Sequence, residues 1–171
     1  MFKNRNQVFS SARSMGFILI GMEDGDFDLD PSYQRGYVWE EDNAQVLLFS
    51  LFNGFPIGSI SLIEKPIGSS GPYIEVVDGK QRITTIFNFY KNEFPYIDED
   101  GNKIYFKDMD IVDQRHFKTQ LTLTVNTLAA DISEIDKLRY FYAINFSGIT
   151  VNDEHKNFVL NRILELKALE S

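Results

Sequence analysis

Cysteine is absent from this 171-residue chain, and histidine is almost absent, with only His116 and His155. A disulfide scaffold, a thiolate zinc site, an iron–sulfur cluster and a thiol nucleophile are therefore excluded for this sequence. Two histidines are also too few for a histidine-rich metal centre, and we assign no residue as a metal ligand.

Positive charge is also scarce. The chain has 17 Lys and Arg against 25 Asp and Glu, which gives a formal net charge of −8. Nonspecific binding to nucleic acid depends on Lys and Arg that displace counterions from phosphates. This charge therefore disfavours general DNA binding, although it leaves room for a local basic pocket.

Long apolar runs are missing too. Nowhere do about 18 apolar residues follow one another, as a membrane-spanning helix requires. The apolar stretch at 15–22 is not followed by the small-residue cleavage site of a signal peptide. We therefore expect a cytoplasmic protein without membrane contact, and its 43% of hydrophobic residues are enough to build a core.

Hydrophobic periodicity predicts a mixed fold of the α/β or α+β class. Helices are predicted at 6–23, 40–54, 79–91, 133–146 and 152–169, and strands at 58–64, 73–78, 94–97, 103–106 and 121–128. The first two strands can pair as a hairpin. We expect one domain over residues 1–130, a small mixed sheet with flanking helices, and a C-terminal helical portion over 131–171 that packs on it.

The segment EVVDGKQRITTIF changes from strand to helix at Asp78 and Gly79. The start of a helix exposes unpaired N–H groups, Gly79 allows a ligand close to the backbone, and Lys80 and Arg82 add positive charge, so the turn suits a phosphate. The alternative is a plain helix cap, with Asp78 as the cap and Gln81 completing a capping box, which is the commoner arrangement for this spacing. Walker A and dinucleotide-binding glycine patterns are absent.

The segment DPSYQRGYVW places Arg35 among the aromatic residues Tyr33, Tyr37 and Trp39. Such a cluster can stack a base or hold a phosphate. The alternative is a structured turn in which Tyr37 and Trp39 close the edge of the core.

Three blocks occur in one order, PSYQRGYVW, GFPIGSISL and VVDGKQRITTIFNFY, and a weaker fourth, YFYAINFSGITVNDEH, lies at 140–155. Together they resemble the N-terminal domain of the GmrSD-type restriction endonucleases. That family is similar to the ParB and sulfiredoxin nucleotide-binding fold, so the resemblance implies a ParB/sulfiredoxin-like sheet. The four ordered blocks also favour a functional site over a plain helix cap.

The resemblance implies that Asp78, Gly79, Gln81 and Arg82 belong to the family's Asp-Gly-Gln-Gln-Arg element, which is associated with binding and hydrolysis of nucleoside triphosphates. Lys80 stands where the family usually has Gln, which could strengthen a phosphate contact. Asp78 and Arg82 are the candidate catalytic residues.

Tyr33, Gln34 and Arg35 match the family's other element, so the resemblance implies that they line the same pocket. In the weaker block Asn145 matches as a secondary site residue, whereas Ala143 stands where an Arg is usual.

The resemblance therefore implies a nucleoside triphosphate-binding domain, a slow Mg²⁺-dependent NTPase that acts as a regulatory or sensor module in restriction or phage defence. Sulfiredoxin chemistry needs a cysteine and is excluded. With 171 residues and two histidines, we expect the chain to lack the family's His-Asn-His nuclease domain, so a nuclease or defence-complex subunit is the expected partner.

Two alternatives stay open. The same fold can be a non-catalytic module that binds a nucleotide, DNA or a partner protein as a switch or inhibitor, or the motif turn can be purely structural. The acidic residues are scattered over several segments, which is typical of a solvated surface rather than a mimic of DNA. The identity of the nucleotide and the formation of a homo-oligomer are not decided by the sequence.

Overall fold

The architecture is a mixed sheet with helices on both faces. The structure is a computed structural model that describes residues 8–66, 68–146 and 153–169. In chain order its elements are β1 (Val8–Ser14), α1 (Met15–Glu23), β2 (Phe27–Asp28), α2 (Glu41–Phe52), β3 (Ser59–Glu64), β4 (Ile74–Asp78), α3 (Lys80–Tyr90), β5 (Tyr96–Ile97), β6 (Lys103–Ile104), α4 (Ile111–Thr119), β7 (Thr122–Leu128), α5 (Glu134–Phe146) and α6 (Asp153–Leu169). The expected α+β class, with a small mixed sheet and flanking helices, is confirmed.

The main sheet has five strands in the order β1-β7-β3-β4-β2. Strands β3 and β4 pair antiparallel, which confirms the expected hairpin, while β3 is parallel to β7 and β2 is parallel to β4. Strands β5 and β6 form a separate two-stranded sheet. The register of the hairpin shifts between Ser61, which faces Asp78, and Leu62, which faces Val76, so Val77 is an extra residue just before the β4–α3 turn. Such bulges bend a strand and redirect its end.

Strand β4 lies inside the sheet and is buried on both faces, so its sequence is almost continuously apolar. Alternation along the strand sends Val76 to one face and Val77 to the other. One face packs against α1, α2 and α3, and the other packs against α5 and α6. In the second cluster Leu138 and Phe141 of α5 and Val159 of α6 meet the sheet. The division at residue 130 stays a prediction.

The predicted helix at 6–23 is wrong in its first half. Residues Val8–Ser14 form β1, which pairs with β7 along its whole length, from Val8 opposite Leu128 to Ser14 opposite Thr122. Backbone pairing with a strand more than a hundred residues away overrides the weak helical pattern of this segment. The helix begins only at Met15.

Two further elements were missed. Helix α4 begins after Asp110, whose side chain accepts a hydrogen bond from the backbone N–H of Asp113, so an N-cap signal was present in the sequence. Strand β2 has two residues, too few for a periodic pattern. The other predicted helices and strands are present, with shorter strands at 96–97 and 103–104 than expected. Among the described residues, no helix is both long enough and apolar enough to cross a membrane.

Gly21 of α1 lies against the ring of Phe27 in β2, and a Cβ at this position would overlap the ring edge. We expect Gly21→Ala to lower the free energy of unfolding by about 1–2 kcal/mol, because overpacking outweighs the better helix propensity of Ala. Urea unfolding measures this loss. The control is Gly36→Ala, where a Cβ meets no atom within 4 Å and little change is expected. A Gly21→Ala protein as stable as the wild type would contradict the packing described.

Candidate functional site

An open cleft of about 500 Å³ lies where the β4–α3 turn meets α2, α5 and the loop between β2 and α2. Its walls include eight of the nine residues that the sequence singled out: Gln34, Arg35, Asp78, Gly79, Lys80, Gln81, Arg82 and Asn145. The fold therefore brings together motifs that lie more than forty residues apart in the chain.

The strand-to-helix turn depends on Gly79. Its φ of +101° lies in the left-handed region, and a Cβ there would overlap the side chain of Ile60 in β3. Glycine alone combines this backbone conformation with so close an approach. Gly79 is also the N-cap of α3, and no side chain caps this helix start. The capping-box interpretation of Asp78 and Gln81 is therefore wrong.

Arg82 is held on two sides. Its Nη2 donates to Asp78 Oδ2 at 2.7 Å, and its Nη1 donates to the carbonyl oxygen of Ile57 at 3.2 Å. Gly58 has a φ of +80°, and a Cβ on Gly58 would press against Arg82 Nη1. The guanidinium is thus fixed at the edge of the cleft, with the Asp78 carboxylate beside it.

Lys80 is almost completely buried, with a side chain that is 7% exposed. Its Nζ donates to Asp30 Oδ1, and the Asp30 side chain is 83% exposed. Lys80 and Arg82, the two cations in the first turn of α3, are therefore each paired with one carboxylate.

Gln34 and Gln81 shape the loop that carries Arg35. Gln34 Nε2 donates to the carbonyl oxygen of Val76 in β4. Gln81 Oε1 accepts from the backbone N–H groups of Val38 and Trp39 at 2.9 and 3.2 Å, and its Nε2 donates to the carbonyl oxygen of Gly36 at 3.0 Å. Both ends of the Gln81 amide hold the loop in place, so the two glutamines position the wall of the cleft.

The remaining walls are partly apolar. Trp39 is half-buried and packs against the core, so it closes the core edge as expected. Tyr37 does not, because it is 40% exposed and its hydroxyl shares a hydrogen bond with the hydroxyl of Thr85. Asn145 of α5 lines the opposite side, and its Nδ2 donates to the carbonyl oxygen of Phe141 at 3.0 Å. Part of the fourth sequence block, residues 147–152, lies outside the described residues.

A family model described as the GmrSD restriction endonuclease N-terminal domain matches residues 18–168. The chain belongs to this family. The resemblance noted in the sequence is thereby confirmed, and the family relates the chain to restriction and phage defence. Neither the search of curated proteins nor the search of solved structures found a match. The likeness to the ParB and sulfiredoxin fold stays an expectation.

Tyr33 is the family-motif residue that does not line the cleft of this GmrSD N-terminal domain. It is 3% exposed, and its ring packs edge-on against Phe141 with centroids 5.2 Å apart. Its hydroxyl donates to Glu75 Oε1 at 2.7 Å, and Lys137 Nζ donates to the same oxygen at 2.9 Å. Tyr33 therefore anchors the loop from behind, next to Gln34 and Arg35.

Glu75 is a structural residue that the sequence interpretation missed, although an acidic residue within the apolar run IEVVD was a signal. Burial acts to raise the pKa of Glu75, but the hydrogen bonds from Lys137 and Tyr33 and the Lys137 charge outweigh it and lower the pKa. Burial and the hydrogen bond to Glu75 raise the pKa of Tyr33 far above its usual value. Burial acts to lower the pKa of Lys137, but the hydrogen bonds to Glu134 and Glu75 raise it. At neutral pH the network holds Glu75 charged, Lys137 charged and Tyr33 protonated.

We expect Glu75→Gln to lower the free energy of unfolding at pH 7 by about 2 kcal/mol, because it breaks the buried ion pair between Glu75 and Lys137. The loss is limited because Lys137 keeps its second carboxylate partner, Glu134. The folded pKa of Glu75 lies below its usual value, so its contribution is fully present above the unfolded pKa and is lost as pH falls through the folded pKa. The stability difference from the wild type should therefore shrink under acidic conditions, as urea unfolding across pH will show. Glu99→Gln, an exposed glutamate, is the control. A pH-independent difference would contradict this assignment.

Proposed function

We propose that the cleft binds a nucleoside triphosphate by its phosphates, at the start of α3. The observation that supports this most is the convergence of an uncapped helix N-terminus with three cationic side chains, Arg35, Lys80 and Arg82, in one cleft. The first N–H groups of a helix have no intrahelical acceptor, and the helix dipole is positive at this end. Gly79 lines the cleft at this helix start, so a phosphate bound in the cleft can approach these donors.

Arg35 is the cation best placed to receive an incoming anion. Its side chain is exposed on the loop, and it forms no ion pair with another residue that the structure describes. Arginine offers a planar fork of donors that fits phosphate oxygens. Arg82 is already oriented by Asp78 and Ile57, so it presents a fixed positive charge on the other side.

The apolar part of the cleft supports a nucleoside rather than phosphate alone. Trp39, Val46, Leu47, Pro56 and Phe146 line it together with the polar groups. A half-buried indole can stack with a base, whichever base it is, since every base has a π face. The cleft volume of about 500 Å³ lies within the usual range for small-molecule sites, roughly 300–1,000 Å³.

Asp78 supports the further proposal of slow hydrolysis. Among the described residues that line the cleft it is the one acidic side chain, and it is partly buried. Mg²⁺ in phosphate sites is usually held by one or two carboxylates and the phosphates themselves, so Asp78 fits as its protein ligand. A bound Mg²⁺ would neutralise charge on the phosphates. Asp78 would also orient a water molecule, and Arg82 would stabilise charge on the phosphate oxygens.

The non-catalytic alternative has an observation of its own. The Asp78 carboxylate forms an ion pair with Arg82 at 2.7 Å, so the group that would act on water is neutralised. A module that binds nucleotide without turnover would serve as a switch for a nuclease or defence-complex subunit. Both versions share the binding site and differ only in the use of Asp78.

We expect Arg35→Gln to weaken nucleoside triphosphate binding by about tenfold or more, because a charge-assisted contact to phosphate contributes about 1.5–3 kcal/mol. Titration calorimetry with ATP, GTP, CTP and UTP, with and without Mg²⁺, measures this effect. The matched control is Arg115→Gln, which removes an exposed arginine of α4 that does not line the cleft. Equal affinity of wild type and Arg35→Gln, or no binding of any nucleotide by the wild type, would overturn the proposed site.

We expect Asp78→Asn to abolish phosphate release while nucleotide binding persists, because Asn keeps the shape of the side chain but not its negative charge. Phosphate release is measured with Mg²⁺ present, and thermal unfolding checks that the variant is folded without its ion pair to Arg82. If the wild type binds nucleotide without releasing phosphate, the non-catalytic switch replaces the NTPase. If the variant releases phosphate as fast as the wild type, Asp78 is not the catalytic carboxylate.

A further inference from the structure

The ion pair between Lys80 and Asp30 is strongly asymmetric. The Lys80 side chain is 7% exposed and lines the cleft, whereas the Asp30 side chain is 83% exposed and stands in the loop before α2. The ammonium is therefore enclosed by the protein, and the carboxylate that neutralises it comes from the solvent side. This asymmetry determines which partner can leave.

A buried ammonium is costly without an anionic partner, so Lys80 needs a negative charge at all times. Asp30 has no such requirement, because a carboxylate that is mostly in water loses little hydration when it binds and regains it when it leaves. An exchange of Asp30 for a phosphate oxygen would keep Lys80 neutralised throughout. The exchange therefore involves no intermediate with an unpaired buried charge.

The second ion pair of the cleft differs in each of these respects. The side chains of Arg82 and Asp78 are similarly exposed, at 20% and 25%, and the two residues lie four positions apart, at the end of β4 and in the first turn of α3. Arg82 is also bound to the carbonyl oxygen of Ile57 and packed against Gly58. This pair is held by its surroundings, whereas the Asp30 carboxylate, in the loop 29–40, has Lys80 as its one hydrogen-bond partner among the residues that the structure describes.

We propose that Asp30 is an internal competitor for the phosphate site, which occupies Lys80 until a phosphate group displaces it. The inference rests on the proposed function, since it assigns Lys80 to the phosphates of the same ligand. Because Asp30 and a phosphate contact the same ammonium in turn, the apparent affinity is lower than the affinity of the same cleft without the Asp30 carboxylate. Asp30 lowers the occupancy of the cleft, and its carboxylate leaves Lys80 when the ligand binds.

The test measures the binding of inorganic tripolyphosphate to the full chain by titration calorimetry. Asp30→Asn should bind about three- to tenfold more tightly than the wild type, as expected for removal of one partly exposed competing pair. In the Lys80→Gln background the same Asp30→Asn change should alter the affinity for tripolyphosphate less than about twofold, because the ammonium for which Asp30 and phosphate compete has been removed. Asp100→Asn, in the exposed turn after β5, controls for the loss of one negative charge.

Three results would overturn the competition. In the first, Asp30→Asn binds tripolyphosphate as tightly as the wild type, and in the second it binds more weakly. In the third, the Asp30→Asn change raises the affinity as much in the Lys80→Gln background as in the wild type, which would show a general effect of charge. In the first two cases tripolyphosphate binding by the wild type still supports the phosphate site, so the two proposals fail separately. If neither the wild type nor Asp30→Asn binds tripolyphosphate, both proposals are wrong.

A second measurement uses the wild type and does not depend on the folding of a variant. The ¹³Cγ resonance of Asp30 should move towards that of an unpaired aspartate when tripolyphosphate saturates the protein, while that of Asp100 stays in place. An unchanged Asp30 resonance at saturation would show that the carboxylate remains on Lys80, which overturns the competition.

Discussion

The left-handed turn at Gly79 is the constraint on which the cleft depends. Strand β4 is buried on both faces and ends in a bulge, and one residue later the chain is helical. This change of direction requires a positive φ at a point where Ile60 leaves no room for a Cβ. Because the sheet fixes the end of β4, the turn also fixes the direction in which α3 begins, so the side chains of its first turn share one cleft.

Local pairing explains how an acidic chain keeps a cationic cleft. The net charge of −8 is spread over the surface, while Lys80 and Arg82 each have one carboxylate as an immediate partner. A buried or half-buried cation is tolerated because it is paired, and the partners also orient it. On the other face of the sheet, Glu75 does the same for Lys137 and holds Tyr33 behind the loop of Arg35. The two networks flank the loop 33–39, so its position depends on α5 as well as on α3.

Sequence patterns predicted those elements whose hydrophobic period matches one local structure. Strands β3 and β4 and helix α3 were expected because the period changes from two to nearly four at Asp78. The first helix was placed too early, because β1 is defined by its pairing with β7 and not by its own residues. The site residues were found through their motifs, yet Tyr33 lies behind the cleft and Glu75 was overlooked, since burial and partners depend on packing.

The sequence by itself determined the family, the strand-to-helix motif and the exclusion of thiol chemistry, because these follow from residue types and their order. Only the tertiary structure decided between a capping box and an uncapped helix start, since Asp78 bonds to Arg82 and Gln81 to the loop at 36–39. It also decided that Lys80 is buried against Asp30, fifty residues earlier in the chain. Side chains that meet across such separations depend on how strands and helices pack, which no local pattern records.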